Sequence, residues 1–414
     1  MKVNYNFKTK PFTHQMDALR RSSGKKEFGF FMEMGTGKSK VLIDDIARLY
    51  IENEIHFALI IAPKGVYRNW TEKEIPQHFW ENVPVYLSQW SSNLTKAMKE
   101  DIHKMINAGY GKMKLFVMNV EAFSNPSGKG MEAAEWFAKK YGMSGMIAVD
   151  ESTTIKNPKS KRTKSLVKLS KHFRYKRIMT GSPITQSPMD LYSQCEFLEE
   201  GMLGFNSFYA FQGRYAILNQ KQMGPRSFRQ VIGFKNIEEL TKKISPFTFR
   251  VLKEDCLDLP KKIYTVRYVT MTPEQQRMYN KIQKEALLMF DNGEIVSTQE
   301  MITQMLRLQQ ILSGHLKTDN GDVVNFPTSR LDALIDICNE TSGKIIVWSR
   351  FRYDIISITN KLKEIFGSDS TASFFGDTSE KERQRVVRDF ENKNSKLKFL
   401  IGNPSTAGRG LTLN

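Results

Sequence analysis

Glu33-Met34-Gly35-Thr36-Gly37-Lys38-Ser39 decides how this sequence folds, because of what stands on either side of it. Residues 28–32 before it form a compact apolar run, and residues 38–52 after it repeat apolar positions at helical spacing. A buried strand, a glycine-rich turn and a helix, in that order, make a phosphate-binding loop. Glycines let backbone N–H groups approach phosphate oxygens, and the helix N-terminus adds positive potential. Met34, Gly35, Thr36, Gly37, Lys38 and Ser39 are therefore the expected ATP-binding residues, with Lys38 on the β- and γ-phosphates and the Ser39 hydroxyl on Mg2+. One position departs from the full pattern: Met32 stands where the first glycine of such a loop belongs.

The next stretch outward is Met146-Ile147-Ala148-Val149-Asp150-Glu151, an apolar run ending in adjacent carboxylates. At the C-terminal edge of a parallel sheet such carboxylates face the phosphate loop. Asp150 is expected to hold Mg2+, through water, and Glu151 to polarise an attacking water. Lys38, Asp150 and Glu151 are thus the expected catalytic residues, and Ser39 and Asp150 the metal-holding ones. Taken singly, the loop could be a glycine turn with a surface lysine, and the acids a solvated strand end. Together, with further strands between them, they argue for a nucleotide site.

The rest of the first two hundred residues supports that sheet. Residues 57–62, 115–119 and 177–180 are short apolar runs, alternating with amphipathic stretches at 38–52 and 93–108. Buried strands alternating with helices indicate an α/β fold with a parallel sheet covered on both faces. From 202 to 260 the pattern changes to scattered aromatics and a polar loop around 220–226, read as a mainly helical insertion or bridge. Residues 263–269 have the alternation of a strand, and 272–290 and 299–313 of long helices. A second alternating region follows, with strand-like 344–349, 373–376 and 399–402. The implied domains are 1–201, 202–260, 261–327 and 328–414.

The chain has 414 residues and a formal charge of +18, which favours a polyanionic partner through counterion release. Between 156 and 177 there are ten Lys or Arg and no acid. A solvated helix face usually mixes signs, so this run reads as a phosphate track. Three scattered cysteines, Cys195, Cys256 and Cys338, make neither a disulfide framework nor a metal cluster. With no apolar N-terminal core and no long apolar run, the expectation is a cytoplasmic protein (host cytoplasm if viral) without a membrane span.

An ordered series of motifs resembles the Swi/Snf-type DNA-dependent ATPases of helicase superfamily two. His14-Gln15 is similar to the glutamine motif with which such ATPases read adenine. Ile60-Ile61-Ala62-Pro63-Lys64 with Asn69-Trp70 is similar to motif Ia, and Asp150-Glu151-Ser152 through Ile155-Lys156-Asn157-Pro158-Lys159-Ser160 to motif II. Thr180-Gly181-Ser182-Pro183 resembles motif III, which implies that Thr180, Gly181 and Ser182 couple nucleotide state to DNA. Pro246-Phe247, Phe249-Arg250, Lys253 and Leu259-Pro260-Lys261 resemble the family's bridge; 344–350 resembles motif IV and 407–413 motif V. The resemblance implies two RecA-like lobes with helical insertions, ATP and Mg2+ as cofactors, and double-stranded DNA as partner. It assigns DNA-backbone contacts to Lys64, Asn69, Lys156, Asn157, Lys159, Lys161, Arg350 and Thr406.

Two departures have consequences. Ser152 stands where the family has Ala or Gly, and Thr153 or Thr154 where it has His, which implies different wiring between motifs II and III. The family's motif VI, with its catalytic arginines, would follow motif V, where this sequence stops; the second lobe is expected to be incomplete, and Arg409 is not assigned that role. The implied function is an ATP-driven motor moving along duplex DNA by its backbone. A strand-separating helicase, a branch-migration enzyme, and a DNA- and ATP-binding module without turnover remain open.

Overall fold

The computed structural model describes residues 6–407 apart from 110, 224–225, 259, 261, 292–297 and 319. Residues 408–413 of motif V, with Arg409, and the bridge residues Leu259 and Lys261 lie outside the described residues. The strands are β1 (Glu27–Met32), β2 (Phe57–Ala62), β3 (Val85–Gln89), β4 (Met113–Asn119), β5 (Gly145–Asp150), β6 (Tyr175–Met179), β7 (Ala216–Met223), β8 (Arg226–Phe234), β9 (Thr248–Val251), β10 (His315–Lys317), β11 (Val323–Asn325), β12 (Ile345–Trp348), β13 (Thr371–Phe374) and β14 (Phe399–Gly402). Two compact units divide at Pro260 and Lys261.

The first unit is built on one parallel sheet in the order β3-β4-β2-β5-β6-β1-β9. The apolar runs become central strands because both of their faces are buried. In β2, Phe57, Leu59 and Ile61 enter one core while Ala58, Ile60 and Ala62 enter the core on the opposite face. That two-residue alternation, with apolar side chains in both registers, is the signature of a sheet sandwiched between helices. β6 lies between the phosphate-loop strand β1 and the acidic strand β5, the arrangement of a RecA-like lobe. Because every pairing in this sheet is parallel, the ends of β1, β2, β5, β6 and β9 emerge at one edge.

Three expectations need correction. The segment 202–260 is not mainly helical: β7 and β8 form an antiparallel hairpin where a polar loop was expected. Strands with polar residues on both faces carry no apolar alternation, so their pairing is set by each other alone. β9 joins the first sheet alongside β1, with Gly29 permitting the approach; a Cβ there would stand 3.2 Å from the Thr248 side chain. Residues 263–269 are not a strand: Ile263, Tyr264, Val266 and Tyr268 are exposed. Alternation alone makes no strand without a neighbour to pair its N–H and C=O groups, and none of the described residues does so.

The second unit holds the parallel sheet β12-β14-β13 and the antiparallel pair β10–β11. β14 again sends alternate residues to two cores, Phe399 and Ile401 to one and Leu400 to the other. Helices Ser329–Glu340, Arg352–Phe366 and Glu380–Glu391 supply their covers. Among the described residues no helix is long and apolar enough to cross a membrane.

Candidate nucleotide site and nucleic-acid face

The phosphate loop leaves β1 at Met32 and enters helix Lys38–Ile51. Gly35 and Gly37 have φ of 85° and 82°, a left-handed conformation that side-chain-bearing residues adopt at a cost of about 1–2 kcal/mol. Thr36 ties the turn internally, its Oγ1 donating to the Glu33 carbonyl at 2.7 Å. His14 and Gln15, both buried, clamp it from outside: His14 Nε2 lies 2.8 Å from the Thr36 carbonyl and Gln15 Nε2 donates to the same oxygen at 3.0 Å. A carbonyl only accepts, so His14 carries its proton on Nε2. Gln15 Oε1 accepts the Phe12 N–H at 3.0 Å, leaving one amide N–H and one lone pair for a base. The geometry thus gives His14 and Gln15 a loop-bracing part that the adenine reading did not include. A Cβ on Gly37 would fall 2.2 Å from Gln15 Nε2.

Asp150, at the end of β5, is buried, and its two oxygens are each held once. Oδ1 accepts the Glu151 backbone N–H at 2.9 Å and Oδ2 the Trp70 indole N–H at 3.1 Å. Burial, reinforced by the charge of Glu151, pushes its carboxyl up to about 6, against the opposing pull of Lys38 and the two hydrogen bonds. Glu151 occupies a left-handed backbone position, φ 49°, uncommon for a residue with a side chain and often found at functional sites. Its carboxylate bridges the loop and motif III: Oε1 lies 3.3 Å from Lys38 Nζ, and Oε2 accepts from Thr180 Oγ1 at 3.0 Å. Thr180 Oγ1 in turn accepts the Ser182 N–H at 3.2 Å. Gly181 lets this turn pass close to the phosphate loop, since a Cβ there would stand 3.1 Å from the Met34 nitrogen.

The departure at Ser152 has a structural counterpart. Its hydroxyl donates to Gln194 Oε1 at 2.6 Å, and Gln194 Nε2 donates to the carbonyls of Pro183 and Asp190, both at 2.8 Å. Motifs II and III are therefore joined twice, through Glu151–Thr180 and through Ser152–Gln194. The Thr154 hydroxyl is buried with no hydrogen-bond partner among the described residues. Sequence reasoning did not single out Gln194, and it named Lys253 only as part of the bridge; the Lys253 Cε would stand 3.0 Å from a Cβ on Gly35. Lys253 follows β9, and no sequence signal placed β9 beside β1. The oxygen set also fits Mg2+. Asp150 keeps lone pairs in hand on both oxygens, Ser39 offers a hydroxyl at the helix start, and such hard donors with phosphate oxygens are what Mg2+ takes.

The residues assigned to DNA divide into two groups. Lys64 and Lys159, Lys161, Lys164 and Lys168 are exposed, and the last three share one face of helix Lys161–Ser170. Lys159 lies over the Tyr209 ring at 5.8 Å. Asn157 is exposed and caps a turn, its Oδ1 accepting the Lys159 N–H at 2.9 Å; Asn69 is half-buried beside Trp70. Lys156 differs, since its ammonium turns inward to Thr185 Oγ1 and to Asp190 Oδ2 at 3.3 Å. It binds the loop after motif III while staying partly exposed. In the second unit, β12 and β14 end side by side. There Arg350 donates to Gln309 Oε1 at 2.8 Å, and the Arg350 carbonyl accepts from Asn403 Nδ2 at 2.9 Å. Thr406 follows in helix Pro404–Ala407, its N–H on the Asn403 carbonyl at 3.0 Å.

Fold and site define a phosphate-loop ATPase lobe of the RecA-like class, followed by a second α/β unit. The SNF2-related domain matches residues 21–316 and the helicase conserved C-terminal domain residues 329–414. The chain belongs to the SNF2-related family of helicase-like ATPases. It is 25% identical over 401 residues to an uncharacterized ATP-dependent helicase of Mycoplasma genitalium, covering 95% of this chain and 35% of that protein. It is 22% identical over 419 residues to a protein of Acyrthosiphon pisum secondary endosymbiont phage 1, covering 98% of this chain and 83% of that one. The chain thus spans about a third of the mycoplasma relative's length and most of the phage protein's. Among solved structures it is similar to the SWI2/SNF2 ATPase core of Sulfolobus solfataricus in complex with dsDNA, at TM-score 0.47 and 22% identity, covering 97% of this chain and 79% of that one.

Proposed function

We propose that this chain is the ATP-hydrolysing motor of a double-stranded-DNA translocase that grips the phosphate backbone without reading sequence. The observation that carries it is the continuous path Lys38–Glu151–Thr180, 3.3 Å and then 3.0 Å long, from the phosphate loop through the acid to motif III. Lys38 is placed to neutralise ATP phosphates, and Glu151, held from both sides, to orient and polarise the attacking water. Ser39 and Asp150 would hold Mg2+, which when bound supplies charge neutralisation on the phosphates. Thr180 ties that carboxylate to motif III, and Lys156 and Asp190 tie the loop after motif III to segment 156–170, so a change at Glu151 on nucleotide binding or release reaches the hold of Lys159, Lys161, Lys164 and Lys168 on DNA through that loop. Exposed lysines contacting phosphates position a protein without specifying sequence, which favours translocation over site-specific binding.

ATPase activity measured with and without duplex DNA of unrelated sequences tests the reading, together with triplex displacement and forked-duplex unwinding. Duplex-stimulated turnover with triplex displacement and no unwinding is the expected result. Unwinding without triplex displacement would assign the chain to strand-separating helicases. Nucleotide and DNA binding without turnover would leave a binding module.

A further inference from the structure

Trp70 sits on a short helical segment of which the sequence analysis named only Asn69 and Trp70, as part of motif Ia. Helix Tyr67–Asn69 runs into a π-turn at Trp70–Glu74 and then helix Ile75–His78. The Ile75 N–H reaches back five residues to the Trp70 carbonyl, the hydrogen bond that defines a π-turn and widens the helix by one residue. Such turns are frequent at functional sites. This one sends the Trp70 side chain to Asp150, one of the two residues assigned to the metal. Trp70, 2% exposed, donates its indole N–H to Asp150 Oδ2 at 3.1 Å. The same stretch of chain begins at the exposed Lys64, whose N–H is held by Glu121 Oε2 at 3.1 Å, and passes through Asn69.

We infer that Trp70 is a positioning residue for the metal site, so that the segment from Lys64 to Ile75 sets how well Asp150 holds Mg2+ and transmits contact with DNA to it. The inference rests on the nucleotide-site reading above. A buried carboxylate with one free rotor ligates poorly unless its orientation is set. The Glu151 N–H fixes Oδ1, and the indole fixes Oδ2, which leaves the remaining lone pairs directed one way. Partners of this kind are typically worth 10- to 100-fold in metal affinity. A wholly structural part for Trp70, which also packs in the core with Val66 and Phe79, requires the ring but not its N–H.

The test separates the N–H from the ring. ADP affinity is measured by calorimetry with and without Mg2+ for the whole chain and for W70F, alongside a 15N-indole spectrum. The W70F substitution is expected to cut the Mg2+-dependent gain in ADP affinity roughly 10- to 100-fold while metal-free ADP affinity stays within about twofold. The indole resonance lost in W70F should move in D150N and on addition of duplex DNA. An unchanged Mg2+ gain in W70F, equal losses with and without the metal, or an indole indifferent to D150N would overturn the inference. If the unsubstituted chain bound ADP no better with Mg2+, the nucleotide-site reading itself would fail, and that outcome is visible before any variant is made.

Discussion

Replacing Thr180 by valine isolates the hydrogen bond that joins the catalytic acid to motif III. Thr180 is 1% exposed, so the nearly isosteric valine preserves packing while deleting the hydroxyl. Two hydrogen bonds go with it, one to Glu151 Oε2 at 3.0 Å and one from the Ser182 N–H at 3.2 Å. A hydrogen bond to a charged group is worth about 1.5–3 kcal/mol. If the bond orients Glu151 for the attacking water, that energy is lost in the transition state, and kcat falls by roughly 10- to 150-fold. KM for ATP should change little, because Lys38 and the loop remain intact. Duplex-stimulated ATPase under saturating ATP is the assay, with T180S as the control that restores the hydroxyl. In a double-mutant cycle with E151Q, the combined variant should be little worse than E151Q alone. A T180V variant within twofold of the unsubstituted kcat, a T180S no better than T180V, or additive losses in the cycle would refute the coupling role.

Other consequences are measurable separately. Gly37→Ala forces a Cβ to 2.2 Å from Gln15 Nε2 at a φ of 82°; ADP affinity should drop at least roughly tenfold, and adding Q15A should recover only the part due to the clash, since the backbone cost of about 1–2 kcal/mol persists. Arg177, fully buried, donates to Asp45 Oδ2 at 2.9 Å and to the carbonyls of Lys25 and Lys26. Arg177→Met should destabilise the first unit by about 3–5 kcal/mol in urea unfolding. Burial works against the Asp45 charge, yet Arg177 and Arg48 hold its carboxyl below the ordinary 3.8. The folded state then binds fewer protons than the unfolded one, so this stability is present above pH 3.8 and is lost as pH falls through the depressed value; R177M should flatten that acid limb. Replacing Lys161, Lys164 and Lys168 together by alanine should flatten the slope of log affinity for duplex DNA against log salt by about 2.7, roughly 0.9 per phosphate contact, with no change in sequence preference.

The nucleotide loop and the acidic strand were legible in the sequence because their chemistry is local. A strand, two glycines at left-handed positions, a lysine and a helix start lie within a dozen residues, and no other short pattern meets those backbone demands. The two-faced burial of β2 and β5 was legible for a related reason, since central strands carry apolar residues in both registers. β7, β8 and β9 were not, because polar or short strands take their identity from a neighbour. The exposed run at 263–269 shows the converse, with the alternation of a strand and no partner among the described residues. Lys156 counted as one more cation in a basic run, yet its ammonium turns to Asp190, a partner 34 residues away.

What the sequence by itself determined is the family and the chemical inventory: a phosphate loop at Lys38, paired acids at Asp150 and Glu151, a track of lysines and an α/β scaffold to carry them. Only the tertiary structure decided who holds whom. Trp70 and Asp150 are 80 residues apart, Ser152 and Gln194 are 42 apart, and Gln15 and Thr36 are 21 apart. Each pairing exists because parallel strands deliver their C-terminal ends to one edge, where loops distant in sequence must satisfy one another's buried polar groups. Glycine, lysine and carboxylate announce themselves by residue type and spacing; a hydrogen-bond partner is chosen by proximity in the folded chain.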